Sequence, residues 1–472
     1  MGTPLKRHRL ILLLATPVLL AALFAGLVAW SGAAAEREYR AVLDTLETSG
    51  KLTVEHEHYQ RGLLHSSATL VIRLSGGGAD AWHAVHPEGA TTAPRLLLHN
   101  TLYHNPVQAL ARGGVRVVSQ IPAAGQPELP VLTHYFPEGS LLTLESVAST
   151  QTVTGTLTVP GFHGSSPAET TIQASWEPID GEFHWSMPQR QLSFAARLPR
   201  IDLRDEASGE RSWLQGAVLD IAQAQHISGL WAGHLRFELD EAGVVAGGNT
   251  DVTLDGLSMA VTNSIEGDYL TAHVEAGLGQ LDSPDGPFGP ASIARRADRL
   301  RTSALLLLQQ AAQDPAQSMN WMVAALDLLT GSPELHLDHL DVTTPYGPLQ
   351  ASLSLRLDGT QLGDNLFALL DPHQLSRRLS GRFGLSITDT LLREALLRQG
   401  PPPVKGDKKG APIQSDGALD PMLEAMIQEV EQEGWIVRDN GSWRLDARIE
   451  NGSLYLNDTL LGPLTQLIPF SP

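Results

Sequence analysis

Apolar and polar residues alternate along much of the chain, and this period of two predicts β-strands with one buried and one wet face. Residues 234–240 show the pattern clearly, with leucine and phenylalanine between charged side chains, and residues 349–358 carry a longer version. The stretches 51–58 and 66–74 flank a short turn and predict a hairpin. Glycine and proline separate such stretches throughout residues 51–290, so we expect a β-rich region there.

Helical spacing of apolar residues replaces the alternation further along the chain. In residues 291–332 apolar side chains recur every three or four positions, and a glycine and a proline follow them, which predicts a central helical block. Residues 333–399 carry both patterns and predict a mixed region of strands and helices. Residues 400–418 are rich in proline, glycine and lysine without any periodicity, so we expect a flexible loop.

The segment 419–472 has strong local signals. Asp420 can cap a helix, because its carboxylate can accept hydrogen bonds from the free backbone amides of the first turn. Pro421 suits the first helical position, where no backbone N–H is needed for a hydrogen bond. The alternating stretches that follow meet at Asn451-Gly452, and both residues of such a turn tolerate positive φ. We therefore expect a C-terminal helix followed by a β-meander.

The chain begins with a segment that suits a membrane. Residues 10–30 are uncharged and largely aliphatic, long enough to cross a hydrocarbon core of about 30 Å. Three basic residues within residues 1–9 favour a cytoplasmic N-terminus, which predicts a transmembrane anchor in a bacterial inner membrane with the bulk of the chain in the periplasm. A cleaved signal peptide is the alternative, because residues 31–35 are small. Residues 31–50 have helical spacing and predict a helical stalk.

Together these patterns predict an α+β fold dominated by β-structure. We expect an N-terminal transmembrane helix, an extended and mostly antiparallel curved β-sheet, a central helical block, and a C-terminal helix with a meander.

The composition of the chain argues against some classes of function. The 472 residues have a formal net charge of -19, which argues against a nucleic-acid partner, because such a protein needs a basic face. The absence of cysteine excludes thiolate metal sites, disulfides and a cysteine nucleophile.

Motifs for catalysis are missing from the sequence. It contains no nucleophile elbow, phosphate loop or zincin helix. His56 and His58 share one face of a predicted strand near His65 and could hold a divalent ion, but Glu55 and Glu57 point to the opposite face. Together with His104 they form a histidine group near the N-terminus, and solvated sheet residues are the simpler interpretation. We therefore predict no catalytic residue, no cofactor and no metal.

Two short motifs resemble a known family. Residues 59–66 read Tyr-Gln-Arg-Gly-Leu-Leu-His-Ser before a strand, and residues 451–457 read Asn-Gly-Ser-Leu-Tyr-Leu-Asn. With the apolar N-terminus they resemble the YdgA-like family of bacterial envelope proteins of unknown function. The chain has His104-Asn105-Pro106 where that family often has His-Gly-Pro. The resemblance implies a single-pass inner-membrane protein with a large periplasmic part, and it transfers no catalytic residues.

The resulting expectation is a non-enzymatic envelope protein that presents an apolar β-groove to a lipid or a hydrophobic partner. A scaffold that binds another envelope protein is the first alternative. A hydrolase acting on the cell wall or on lipid is the second, and it requires a polar pocket with convergent titratable groups.

Overall fold

The structure is a computed structural model that describes a defined part of the chain. The described ranges are residues 33–47 with gaps at 34, 38, 42 and 45–46, then 52–62, 64–75, 95–104, 114–124, 126, 139–149, 151–165, 172–227, 229–246, 251–284, 286–313, 318–360, 371–399 and 419–467. The chain divides into two compact units, Met1–Ala207 and Ser208–Pro472. This division falls inside the predicted β-rich region 51–290.

The first unit is built on antiparallel strands. In chain order they are β1 (Leu52–Gln60), β2 (His65–Leu74), β3 (Arg95–Tyr103), β4 (Val115–Pro122), β5 (Ser140–Ala148), β6 (Thr152–Val159), β7 (Phe162–Ser165), β8 (Ile172–Trp176), β9 (Ile179–Ser186) and β10 (Gln191–Asp205). Their order in the sheet is β1-β2-β3-β4-β5-β6-β9-β10-β8-β7. The predicted hairpin of β1 and β2 is confirmed, with Leu52 opposite Leu74.

Helical residues between 33 and 47 bury their apolar side against this unit. Ala35 is 6% exposed and Leu43 9% exposed, as expected for the covered face of an amphipathic helix. Tyr39 Oη accepts a hydrogen bond of 3.0 Å from Asn100 Nδ2 on β3. Burial raises the pKa of Tyr39 to about 12, so its hydroxyl stays protonated.

The second unit also consists of antiparallel strands. They are β11 (Arg211–Ile227), β12 (Leu230–Val245), β13 (Val252–Glu266), β14 (Tyr269–Ser283), β15 (Gly286–Phe288), β16 (Ala291–Arg301), β17 (Glu334–Thr344), β18 (Gly347–Leu357), β19 (Leu379–Thr388), β20 (Val437–Asp439), β21 (Ser442–Glu450), β22 (Ser453–Leu456) and β23 (Thr459–Pro463). The main sheet order is β11-β12-β13-β14-β16-β17-β18-β19-β21-β22-β23. Short β15 pairs with β14, and short β20 pairs with β21.

The helices with described bounds belong to the second unit. They are α1 (Thr302–Gln313), α2 (Ser318–Thr330), α3 (Pro372–Arg378), α4 (Asp389–Gln399), α5 (Leu419–Gln432) and α6 (Leu464–Leu467). Helix α3 lies in the predicted mixed region 333–399, and Asp371 caps it by accepting a hydrogen bond from the His373 amide. The predicted loop 400–418 lies outside the described residues.

The C-terminal helix packs on the meander through one aromatic anchor. Trp443 on β21 is 3% exposed and contacts Leu423 and Ile427 of α5. Its indole N–H donates a hydrogen bond of 2.8 Å to Asp389 Oδ1 at the start of α4. Arg393 Nε of α4 donates a hydrogen bond of 2.7 Å to Asp389 Oδ2. This bond is the main reason that the pKa of the Asp389 carboxyl is lowered. Helix and sheet are therefore joined by apolar burial and by a charged hydrogen bond.

The predicted Asn-Gly hairpin is confirmed. Asn451 and Gly452 have φ of 53° and 77°, and they bring Glu450 opposite Ser453. The local residues dictate this turn, because its twist matches that of the flanking strands.

The predicted α+β class with a central helical block is wrong. Strands hold 66% of the described residues, so the fold is mostly antiparallel β-sheet with few helices. Residues 291–301 of the predicted block 291–332 form β16, and the helices begin only at Thr302. The register shifts between Ala294 and Arg295, and such a bulge interrupts the period of two. The apolar residues of the strand therefore fall at spacings that mimic a helix.

The predicted transmembrane helix at residues 10–30 lies outside the described residues. Within the part of the chain that the structure describes, no helix combines the length and the apolar character needed to cross a membrane.

We predict that Trp443→Ala lowers the free energy of unfolding by about 3–5 kcal/mol, because it empties a closed apolar contact and removes a hydrogen bond. Trp435→Ala is the matched control, since Trp435 is 44% exposed, and it should cost under about 0.5 kcal/mol. Urea unfolding of both variants measures the difference. Equal losses would show that α5 does not pack on Trp443.

Candidate functional site

A continuous row of apolar side chains crosses the second sheet. Cross-strand partners on nine strands form it, and we call it the apolar row: Leu219, Phe237, Met259, Ala276, Ile293, Leu340, Ala351, Leu385 and Leu445. A parallel row of partners lies two residues away on each strand, or three on β17, where a bulge separates Leu337 from Leu340. It holds Ile221, Leu235, Val261, Val274, Arg295, Leu337, Leu353, Phe383 and Ala447. Both rows lie on one side of the sheet, the apolar face, because side chains two residues apart share a side.

The apolar face is covered by helices at one end and is partly exposed along the rest. Helices α4 and α5 pack beside Trp443, and α2 packs Leu326 against Leu357. Every member of the apolar row retains solvent exposure, and Met259 is 39% exposed. Leu335 on the same face is 50% exposed. Contiguous exposed apolar surface of this kind marks a binding face more often than a neutral surface.

The opposite face of these strands is polar and solvated. A concavity of about 960 Å³ is lined there by charged side chains, namely Asp220, His234, Arg236, Glu238, Glu275 and His339. Its lining also includes Leu235, Met259, Ala276 and Ile293 from the two rows. His234 pairs with Asp220 and Arg236 with Glu238, and all four side chains are between 42% and 63% exposed. Exposed pairs of this type contribute little to stability and offer no shielded group for proton transfer. The concavity therefore resembles ordinary solvent-exposed protein surface more than an enzyme pocket.

A serine and a histidine meet in the first unit. Ser66 Oγ lies 2.9 Å from His104 Nε2, the distance of a nucleophile and its base. The two residues are 1% and 0% exposed, so no substrate can reach the hydroxyl. Burial lowers the pKa of His104, which keeps the imidazole neutral. The backbone amide of His104 also donates to Leu64 O at 3.1 Å, so the pair links the end of β3 to the start of β2.

The histidines that are grouped in the sequence differ in their exposure to solvent. His56, His58 and His65 are exposed, whereas His104 is fully buried. His58 Nε2 lies 2.9 Å from the side-chain nitrogen Nε2 of Gln60. The ring centroids of His65 and Tyr103 are 6.2 Å apart.

Among the described residues, the group with metal-ligand geometry lies elsewhere. It consists of Asp298, Glu334 and His336. Sequence reasoning missed it because its members come from two strands that are distant in sequence.

Acidification should destabilise the protein through His104. Because its pKa is lowered in the folded chain, the unfolded chain takes up a proton first as pH falls through about 6.5. The neutral histidine therefore stabilises the fold above that pH, and this contribution is lost below it. We predict a smaller loss of unfolding free energy between about pH 7.5 and 5.5 in His104→Gln than in the wild type.

The exposed His99 on β3, the strand that ends just before His104, supplies the control. His99→Gln should keep the pH dependence of the wild type in the same urea titrations. An unchanged dependence in His104→Gln would show that another group carries the effect.

Comparison with known proteins places the chain in a family. No curated protein and no solved structure matches it significantly. The sequence profile of a bacterial protein family of unknown function (DUF945) matches residues 9–461, which is nearly the whole chain. The chain therefore belongs to this bacterial DUF945 family.

Proposed function

We propose that this chain is a non-enzymatic envelope protein that binds a lipid acyl chain, or a similarly extended hydrophobic ligand, along the apolar face of its second sheet. The observation that carries the proposal is the apolar row, which crosses nine strands without a polar side chain and is not fully buried at any of its members. A ligand that matches it is long, flexible and apolar.

The energetics favour such a ligand. Burial of apolar surface contributes about 25 cal/mol per Å², and each buried methylene of an acyl chain about 0.8 kcal/mol. A soluble protein normally covers a sheet face of this composition with a second layer. Met259 and Leu335 instead keep 39% and 50% of their surface in solvent, so a ligand there buries surface that the fold leaves open.

The proposed place of action is the periplasmic side of the bacterial inner membrane. Its support is the sequence alone: the uncharged run at residues 10–30 follows a basic N-terminus. Lipids are abundant at that surface, so the location agrees with the proposed ligand. The narrower YdgA-like assignment, based on residues 59–66 and 451–457, belongs to this proposal as well.

We predict that Met259→Glu removes bound lipid. A carboxylate in the middle of the apolar row makes burial of an acyl chain unfavourable by several kcal/mol. Full-length protein purified from native membranes in mild detergent is extracted, and the lipid per chain is measured by mass spectrometry. Lipid content should fall at least about tenfold relative to the wild type.

Ser258→Glu is the matched control. Ser258 precedes Met259 on β13, is exposed, and points to the polar face because successive strand residues alternate. It should retain the lipid of the wild type. Equal lipid content in all three proteins would overturn the proposal and favour the scaffold alternative, in which the chain binds another envelope protein without a lipid.

A further inference from the structure

Three potential metal ligands meet on the polar face of the second sheet. Asp298 on β16 lies directly opposite Glu334 on β17, and His336 lies two residues beyond Glu334 on the same side. Their ligand atoms all lie within 4.8 Å of one another. The side chains are 22%, 24% and 18% exposed, so the group is largely shielded while solvent still reaches it.

The distances within this group suit ligands of a shared ion. His336 Nε2 lies 3.5 Å from Glu334 Oε2 and 3.8 Å from Asp298 Oδ2. These separations are too long for good N–H···O hydrogen bonds, which cluster near 2.9 Å. Ligands placed tetrahedrally at about 2.1 Å from a zinc ion are about 3.4 Å apart. The three atoms therefore stand near the spacing that an ion between them would set.

The histidine nitrogen adds an independent observation. His336 Nε2 is buried at the atomic level and makes no hydrogen bond. A buried polar atom without a partner costs free energy, and native proteins rarely leave one unsatisfied. This nitrogen faces both carboxylates, and an ion between them would accept its lone pair.

Two arginines contact the carboxylates, and Arg296 binds the same Asp298 oxygen, Oδ2, that lies 3.8 Å from His336 Nε2. Arg296 Nε lies 3.1 Å from Asp298 Oδ2, and Arg356 Nε lies 3.3 Å from Glu334 Oε1. These contacts leave Glu334 Oε2 directed at His336 while its other oxygen is bound. Such outer partners orient ligands in metal sites.

We propose that Asp298, Glu334 and His336 bind one divalent transition-metal ion of the zinc type, with water completing its coordination. One imidazole nitrogen and two carboxylate oxygens suit zinc or manganese better than calcium, which takes six to eight oxygens. The ion would join β16 to β17 beside the bulges at Ala294/Arg295 and Leu337/Leu340. It would hold the register where the strand ladder is interrupted.

The test is equilibrium dialysis of untagged full-length protein against zinc chloride at about pH 7, after removal of metal with a chelator. Bound zinc is measured by plasma mass spectrometry. The wild type should bind about one ion per chain. His336→Gln should weaken binding at least about 100-fold, since even the loss of an outer partner costs 10–100-fold.

His339→Gln is the matched control on the same strand, since His339 is exposed and belongs to the polar concavity. It should bind zinc like the wild type. Asp298→Asn serves as the second ligand variant if His336→Gln does not fold, as judged by its melting transition. The proposal is overturned if the wild type retains no more zinc than the ligand variants, or if His339→Gln loses binding as completely as His336→Gln.

Discussion

Register between antiparallel strands is the constraint on which the second unit depends. A slip of one residue would move every apolar side chain of a strand to the other face. Apolar residues face one another across the sheet from Phe237–Met259 to Leu385–Leu445, although bulges shift the register on both sides of β17. The apolar row, the polar concavity and the Asp298–Glu334 pairing all follow from the register. An apolar face on one side and charged clusters on the other are thus consequences of one pattern of backbone hydrogen bonds.

Local signals were enough to predict some elements. The Asn451-Gly452 turn specifies its backbone through the residues themselves, and it occurs in the structure. The predicted C-terminal helix also occurs, but it begins at Leu419, so Asp420 and Pro421 lie in its first turn and not at its cap and first position. Strand β16 was misread because a bulge breaks its alternation, and its pairing with β14 and β17 decides its conformation. Those partners bring tertiary contacts that override a helical spacing of apolar residues.

The candidate sites likewise depend on long-range strand pairing that the sequence pattern does not reveal. Alternation in the sequence predicts that each strand has an apolar side, but it does not state whether another layer covers that side. The exposure of Met259 and Leu335 appears only in three dimensions. Glu334 and His336 have the spacing of residues on one strand face, whereas Asp298 joins them through pairing between β16 and β17. Long-range register carries that information, and spacing along the chain does not.

Site-directed photo-crosslinking can show whether the apolar face contacts lipid chains. The chain contains no cysteine, so a single introduced cysteine carries a benzophenone probe at a known position. If lipid chains bind the apolar face, the labelled Met259→Cys protein should form lipid adducts when it is irradiated in native membranes, and the labelled Ser258→Cys protein should form none. Adducts from Ser258→Cys alone, or none from either position, would contradict this proposal.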